Sequence, residues 1–520
     1  MSRAARAVIC LLRCDLRAHD NQVLHWAQDN ADFVIPLYCF DPRHYLGTHC
    51  FGFPKTGPHR LRFLLESVKD LRETLKKKGS TLVVRKGKPE DVVRDLITQL
   101  GSVSAVAFHE EATQEELDVE KGLCQVCSQH GVKIQTFWAS TLYHRDDLPF
   151  RPITRLPDVY THFRRAVESE AKVRPTLRMA DQLKPLAPGV EEGCIPTMED
   201  LGQKGGSSAL SSCSLSPCRW GGGEIEKGKS EKSPGLRLAL GCISPRYIYE
   251  QIQKYEKERT ANQSTYWVLF ELLWRDYFRF VALKYGRRIF SSRGVYGSPC
   301  LERKGLQSKE IPWKKDLQLF DCWKEGKTGV PFVDANMREL NATGFMSNRG
   351  RQNVASFLTK DLGLDWRMGA EWFEYLLVDY NVCSNYGNWL YSAGIGNDPR
   401  DNRKFNIIKQ GLDYDGNGDY VRLWVPELQG IKGADIHSPW ALSSAALSQA
   451  GVTLGETYPR PVVTAPEWSR HISQRPNVFL AGRAWEFGDS HICAVMEHRH
   501  LRGSPSLNTD PKNGTWLWST

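Results

Sequence analysis

The chain has 520 residues, 41% hydrophobic and 25% charged, which is ordinary globular usage and too much length for one hydrophobic core, so two or three domains are expected. Its net charge of +9 is mild for this size and suits a phosphate-bearing partner without demanding one. No apolar run is long enough to span a bilayer, and the 14 scattered cysteines include a lone CxxC at Cys124 and Cys127 with no second pair at zinc-site spacing; membrane spans and zinc modules are thereby excluded, and the thiols read as reduced in a soluble intracellular protein.

In chain order, the start MSRAARAVICLLRCDLR carries arginines and no acid over its first 14 residues, a pattern shared with organelle addresses, but its apolar part fits a first strand. VICLL (8–12), FVIPLYCF (33–40), TLVV (81–84) and VSAVAF (103–108) predict strands. Between them, HRLRFLLESVKDLRETLKKK (59–78) places Leu61, Leu64, Leu65, Val68, Leu71 and Leu75 at helical spacing, and PEDVVRDLITQL (89–100) does the same. This alternation predicts an α/β domain over residues 1–140 with a doubly wound parallel sheet. It has neither GxGxxG nor a P-loop. Residues 141–235 read as a connector, and the Gly/Ser/Lys-rich composition of 185–235 predicts disorder. Helical patterns dominate 236–470, an all-α domain, and 471–520 reads as a tail.

Three segments of the helical half mix polar groups with large rings. In YWVLFELLWRDYFRF (266–280), Glu271, Trp274 and Arg275 share one helix face. In GFMSNRGRQNVASFL (344–358), Asn348, Arg351 and Gln352 repeat that spacing. In VDYNVCSNYGNWLYSAG (378–394), Asp379, Asn381, Ser384, Asn385 and Asn388 crowd around Tyr386, Trp389 and Tyr391. Alone, the first suits a Trp buried beside a surface ion pair, the second a polar N-terminal turn before a core stripe at Val354, Phe357 and Leu358, and the third a structural buried ion pair of Asp379; an apolar pocket with a few placed polar groups is also how a large flat cofactor is held. Trp313, Trp366 and Trp389 suit core anchors. Indoles are also readily oxidised by one electron, so a row of them would carry an electron inward in short hops.

These residues resemble the photolyase/cryptochrome flavoproteins, and within them the cryptochrome-DASH branch. The resemblance runs through RCDLRAHDN (13–21), LALGCISPRYIYEQI (238–252), the 266–280 segment, GKTGVPFVDANMREL, TGFMSNRGRQNVASFLTKDLGLDWRMGAEWF and VDYNVCSNYGNWLYSAGIGNDP, about four-fifths of the chain. It implies an α/β antenna domain followed by an all-α domain that binds FAD, with 5,10-methenyltetrahydrofolate as the antenna. It also implies blue-light repair of cyclobutane pyrimidine dimers, in which excited reduced FAD lends the lesion one electron. Position by position, Glu271 and Asn348 match the catalytic pair, and Trp274 the ring that stacks on the flipped dimer. Arg275, Arg351, Asp379, Asn381 and Asn385 match flavin contacts, with Arg351 and Asp379 as an ion pair and Asn385 facing flavin N5. Trp389, Trp366 and Trp313 match the electron-transfer chain from the flavin outward, and Glu111 an antenna contact. Arg349, Gln352 and Tyr391 fall at substrate-binding positions. Gln352 and Tyr391 stand where duplex-repairing relatives have Met and Trp, which implies single-stranded or looped-out DNA as the partner, with RNA a further candidate, and a monomer.

The chain also departs from the family pattern. GKSEKSPGLR replaces the stretch that grips the FAD diphosphate, leaving Ser230, Lys232 and Ser233 as substitutes; 291–304 reads as an insertion, and Asn381 stands where Asp is usual. The alternative reading is a flavin photoreceptor or nucleic-acid-binding regulator without repair turnover, and a third is a chain that folds poorly without its phosphate grip.

Overall fold

Four runs of β-branched and apolar residues and one mixed run build a five-stranded parallel sheet in the order β3-β2-β1-β4-β5: β1 (Ala7–Leu12), β2 (Phe33–Phe40), β3 (Val83–Lys86), β4 (Val103–His109) and β5 (Lys133–Phe137). The structure, a computed structural model, describes residues 6–203, 234–295, 311–396 and 404–473. Side chains alternate across each strand, so each sheet face buries its own set. Val8, Cys10 and Leu12 pack with α1 (Gln22–Asn30) and α2 (Pro58–Lys76), whereas Ala7, Ile9 and Leu11 pack with α3 (Pro89–Leu100) and α4 (Gln114–Gln129). Both faces are therefore covered, which is why β1, β2 and β4 read as continuous apolar runs.

The described residues fall into two compact units. The first holds the chain up to Ile289 together with Val378–Ser384; the second holds Phe290–Leu377 and the chain from Asn385. This differs from the boundary expected near 236. In the first unit, α5 (Tyr160–Glu170), α6 (Pro234–Ala239), α7 (Pro245–Glu258) and α8 (Gln263–Tyr285) join the sheet domain, because α8 is buried all round from Leu272 to Ala282 and packs its rings against the connector. Phe280 stacks on Trp138, and Tyr160 and Phe163 pack on Tyr277. Two segments that carry the family resemblance also meet here: Arg246 forms a 2.5 Å ion pair with Asp20, and Ser244 donates to the same carboxylate.

Of the stretch 185–235 expected to be disordered, residues 185–203 are ordered and 204–233 lie outside the described residues. Residues 185–203 run beside the β3 edge, where Val84 N–H donates to Glu192 O at 2.8 Å and Lys86 reaches Asp200 O at 2.5 Å, and Ala187, Val190 and Leu201 are buried. Ser230, Lys232 and Ser233, residues 296–304 of the expected insertion and 474–520 of the expected tail lie outside the described residues.

The second unit is helical: α9 (Leu317–Glu325), α10 (Pro331–Thr343), α11 (Asn348–Ser356), α12 (Trp366–Leu376), α13 (Val382–Ala393), most of which belongs here, and α14 (Ile407–Tyr414). Asp316, Ser347, Asp365 and Asn406 cap α9, α11, α12 and α14 through their side chains. A π-helical turn, Phe357–Asp361, extends α11. Asp334 on α10 is buried and accepts from Thr328 and from Tyr458, tying the 458 region to the bundle. Among the described residues no helix is long and apolar enough to cross a membrane.

Candidate functional site

Helix α8 opens on an Asn262 capping box and carries Glu271, Trp274 and Arg275 on one face, as their spacing requires. Glu271 is half-buried, whereas Trp274 and Arg275 are buried. The Arg275 guanidinium donates to Ser140 O, and Nε has no partner among the described residues. Burial, with repulsion from Arg279, holds its pKa down to about 10 despite the nearby Asp276. A buried cation without a carboxylate bridge among the described residues is a place for an anion.

Trp274 departs from expectation. Its ring stacks face to face on Tyr160, with centroids 3.6 Å apart and planes 11° apart, while Phe278 lies tilted at 5.4 Å. One face of the indole expected to stack on a flipped base is thus covered by Tyr160, in YTHFRRAVE of the connector.

Asp379 is buried, Tyr380 beside it lies under Arg60 at 4.7 Å, and Asn381 is half-buried. The Asn381 Oδ1 accepts from Ser384 N–H at 3.2 Å, so it caps α13.

Glu111 lies at the carboxyl end of β4, beside the carboxyl end of β1, the switch point of this sheet order. The crevice holds two ion pairs, Arg279–Glu111 at 2.5 Å and Arg13–Glu120 at 2.6 Å, and a 2.6 Å hydrogen bond between His109 Nδ1 and Asp15 Oδ2. One oxygen of the expected antenna contact is therefore already engaged by an arginine.

In the second unit, Asn348, Arg349, Arg351 and Gln352 occupy the first turns of α11. Arg351 is buried and its Nε donates to Met346 O at 2.8 Å. Gln352 is buried, and its Oε1 accepts from Arg349 at 2.8 Å. Asn385 on α13 is buried; its Nδ2 donates to Ala370 O at 3.0 Å, while Oδ1 has no partner among the described residues. Tyr391, nearly two turns on, is half-buried.

The three tryptophans are arranged in depth: Trp389 and Trp366 are buried and Trp313 is partly exposed. Trp313 and Trp366 donate to one carbonyl, Ser292 O, at 3.0 and 3.4 Å, which holds the two indoles together. Tyr386, on the same helix as Trp389, packs edge-on against Trp366 at 5.9 Å. No spacing pattern points to Ser292, because its role is played by a backbone oxygen.

Two observations fit FAD. Asn385 Oδ1 is a buried acceptor in want of an N–H donor, which a flavin ring nitrogen supplies, and Arg275 is a buried cation suited to a phosphate. Among the described residues no cluster of three or more His, Cys, Asp or Glu could hold a metal ion.

Comparison with known proteins agrees. Residues 267–477 match the family model described as the FAD binding domain of DNA photolyase, and residues 8–184 match the one described as DNA photolyase. The chain is 68% identical to Cryptochrome DASH of Xenopus laevis over 97% of its own length and 99% of the relative's, and 46% identical to Cryptochrome DASH of Gloeobacter violaceus over 97% and 100%. It superposes on the Synechocystis cryptochrome with a TM-score of 0.79 at 42% identity, covering 91% of this chain and 99% of that one. It superposes on a class III photolyase of Agrobacterium tumefaciens with a TM-score of 0.70 at 28% identity, covering 91% and 97%. An α/β parallel sheet, a helical FAD-binding half and near full-length identity together mean that this chain belongs to the photolyase/cryptochrome family, in its cryptochrome-DASH branch.

Proposed function

We propose that the chain is a light-driven lyase that splits cyclobutane pyrimidine dimers in single-stranded or looped-out DNA. The observation that carries this reading is the helix face Glu271–Trp274–Arg275 on α8. When bound, reduced FAD supplies one electron on excitation by blue light. Arg275, Arg351, Asp379, Asn381 and Asn385 would hold it. Asn385 would meet the ring nitrogen through its spare Oδ1. Trp389, Trp366 and Trp313 would relay electrons from the surface to keep the cofactor reduced. Methenyltetrahydrofolate is the proposed antenna, with Glu111 as one contact.

The remaining chemistry belongs to the chain. Glu271 would hold a proton against the lesion carbonyl and stabilise the extra charge there, assisted by the Asn348 amide. Trp274 would stack on the lesion in place of Tyr160. Gln352 and Tyr391 make a weaker stacking wall than Met and Trp. Such a wall cannot offset the few kcal/mol of unstacking that duplex extrusion costs, whereas a single strand avoids most of that cost.

The test is blue-light loss of dimers from a single-stranded oligonucleotide by the flavin-loaded chain. Repair is expected in light and none in darkness, and Glu271→Ala should lower the yield about tenfold or more, the loss of a hydrogen bond to a charged group. A flavin-loaded wild type that leaves dimers intact under light sinks the proposal.

A further inference from the structure

Outside the flavin-binding residues, the second unit builds a stack of a different kind. Arg349, in the first turn of α11, places its guanidinium 4.8 Å from the Tyr414 ring centroid and 5.9 Å from that of Phe405. Its one hydrogen bond within the described residues goes to Gln352 Oε1 at 2.8 Å, and no carboxylate pairs with it there. The neighbouring cations differ. Lys404 bridges Asp361 at 2.9 Å and Glu467 at 2.6 Å, and Lys409 pairs with Asp413 on its own helix. Among the described residues Arg349 is thus, unlike Lys404 and Lys409, a cation without a carboxylate partner. Tyr414 is 45% exposed, so one side of its ring remains open to the surroundings, and Phe345 nearby in sequence to Arg349 is 39% exposed.

A stacked guanidinium is held flat by the rings yet keeps N–H groups on its edge for a phosphate. An exposed ring next to such an edge is how single strands are gripped, because every base has a π-face and the backbone is always anionic. Duplex DNA offers no free base face to such a ring. We infer that Arg349, Phe405 and Tyr414 form a platform for one nucleotide of single-stranded DNA flanking the lesion, its phosphate on the Arg349 edge and its base on the open side of Tyr414. The inference rests on the preceding functional reading and deepens it. Tyr414 becomes a determinant of strand preference.

The experiment uses the full flavin-loaded chain and a dimer-free oligothymidylate of about ten nucleotides, within the span such grooves cover, with binding read by fluorescence anisotropy. Tyr414→Ala should weaken binding by about five- to a hundredfold, the worth of one stacked base, and Tyr414→Phe should stay within about twofold. Flavin absorbance of each variant reports that it folds. Equal binding by the wild type and Tyr414→Ala overturns the platform while leaving the repair reading standing, as does a loss in Tyr414→Phe as large as in Tyr414→Ala. A wild type that binds no single strand overturns both.

Discussion

Asp276 is buried beside Arg275, and its two oxygens accept from the backbone N–H groups of Leu142 at 3.0 Å and Tyr143 at 2.9 Å. Burial pushes its pKa up to about 7, against the pull of those hydrogen bonds and of the Arg275 and Arg279 charges. A free aspartate titrates near ~3.9. Folding therefore favours the protonated form, and the stabilisation is fully present below about pH 4 and lost as pH rises towards the folded value, at most about 4 kcal/mol in all. The expected outcome is that wild-type unfolding free energy falls between pH 5 and 8 relative to Asp276→Asn, whose amide oxygen still accepts from the backbone and does not titrate. Urea melts at the two ends of that window check it, and a constant difference between the two proteins contradicts it. The same residue shows where sequence reading stops. Arg275 was singled out for chemistry, whereas Asp276, one position on, was passed over. Its true partners are backbone amides some 130 positions away, which no local pattern encodes.

At the level of elements, legibility followed burial. Strands β1, β2 and β4 are covered on both faces, so their sequences are unbroken apolar runs, and β2 matches its expected span of 33–40. Strand β5, KIQTF, was missed because it is an edge strand, half-exposed throughout, with no apolar run to see. Helix α1 was missed as well: nine residues hold only three buried apolar anchors, Val23, Leu24 and Ala27. Crossings between helices are less legible still, since they depend on what is absent. A Cβ at Gly369 on α12 would fall 2.1 Å from the Trp389 ring, so the glycine is what lets α12 approach the indole of α13. The sequence around it, WRMGAEWF, offers no turn or cap to explain a helical glycine. Gly369→Ala should cost about 1–3 kcal/mol through overpacking, although alanine is the better helix former, and should displace Trp389 from its edge-on contact with Phe373 at 5.2 Å. The paired readouts are the unfolding midpoint and the rate of flavin photoreduction, both of which should fall. A variant as stable as the wild type would show that the helices part freely.

Across the whole molecule, the α/β and helical halves were both legible, but the division between them was not, because it is drawn by contacts distant in sequence. Asp20 has a positive φ of 46°, unusual for a side-chain-bearing residue, and this turn aims its carboxylate at Arg246, 226 positions later. The carboxylate accepts from Arg246, from Ser244 and from Leu177 N–H at 2.9 Å, and both ion-pair partners are at most 5% exposed. A buried pair adds little over an apolar replacement of the same shape, but removing one partner strands a charge and costs about 3–5 kcal/mol. Arg246→Met should therefore destabilise the first unit by that order. Adding Asp20→Asn should recover part of the loss, since asparagine tolerates the left-handed turn, keeps an acceptor for Leu177 and carries no charge. Denaturant unfolding of the single and double variants measures this. Recovery in the double variant identifies the stranded carboxylate as the cause, whereas equal loss in both would mean that the guanidinium acts mainly by packing its stem and that closure of α7 onto the sheet domain does not depend on charge.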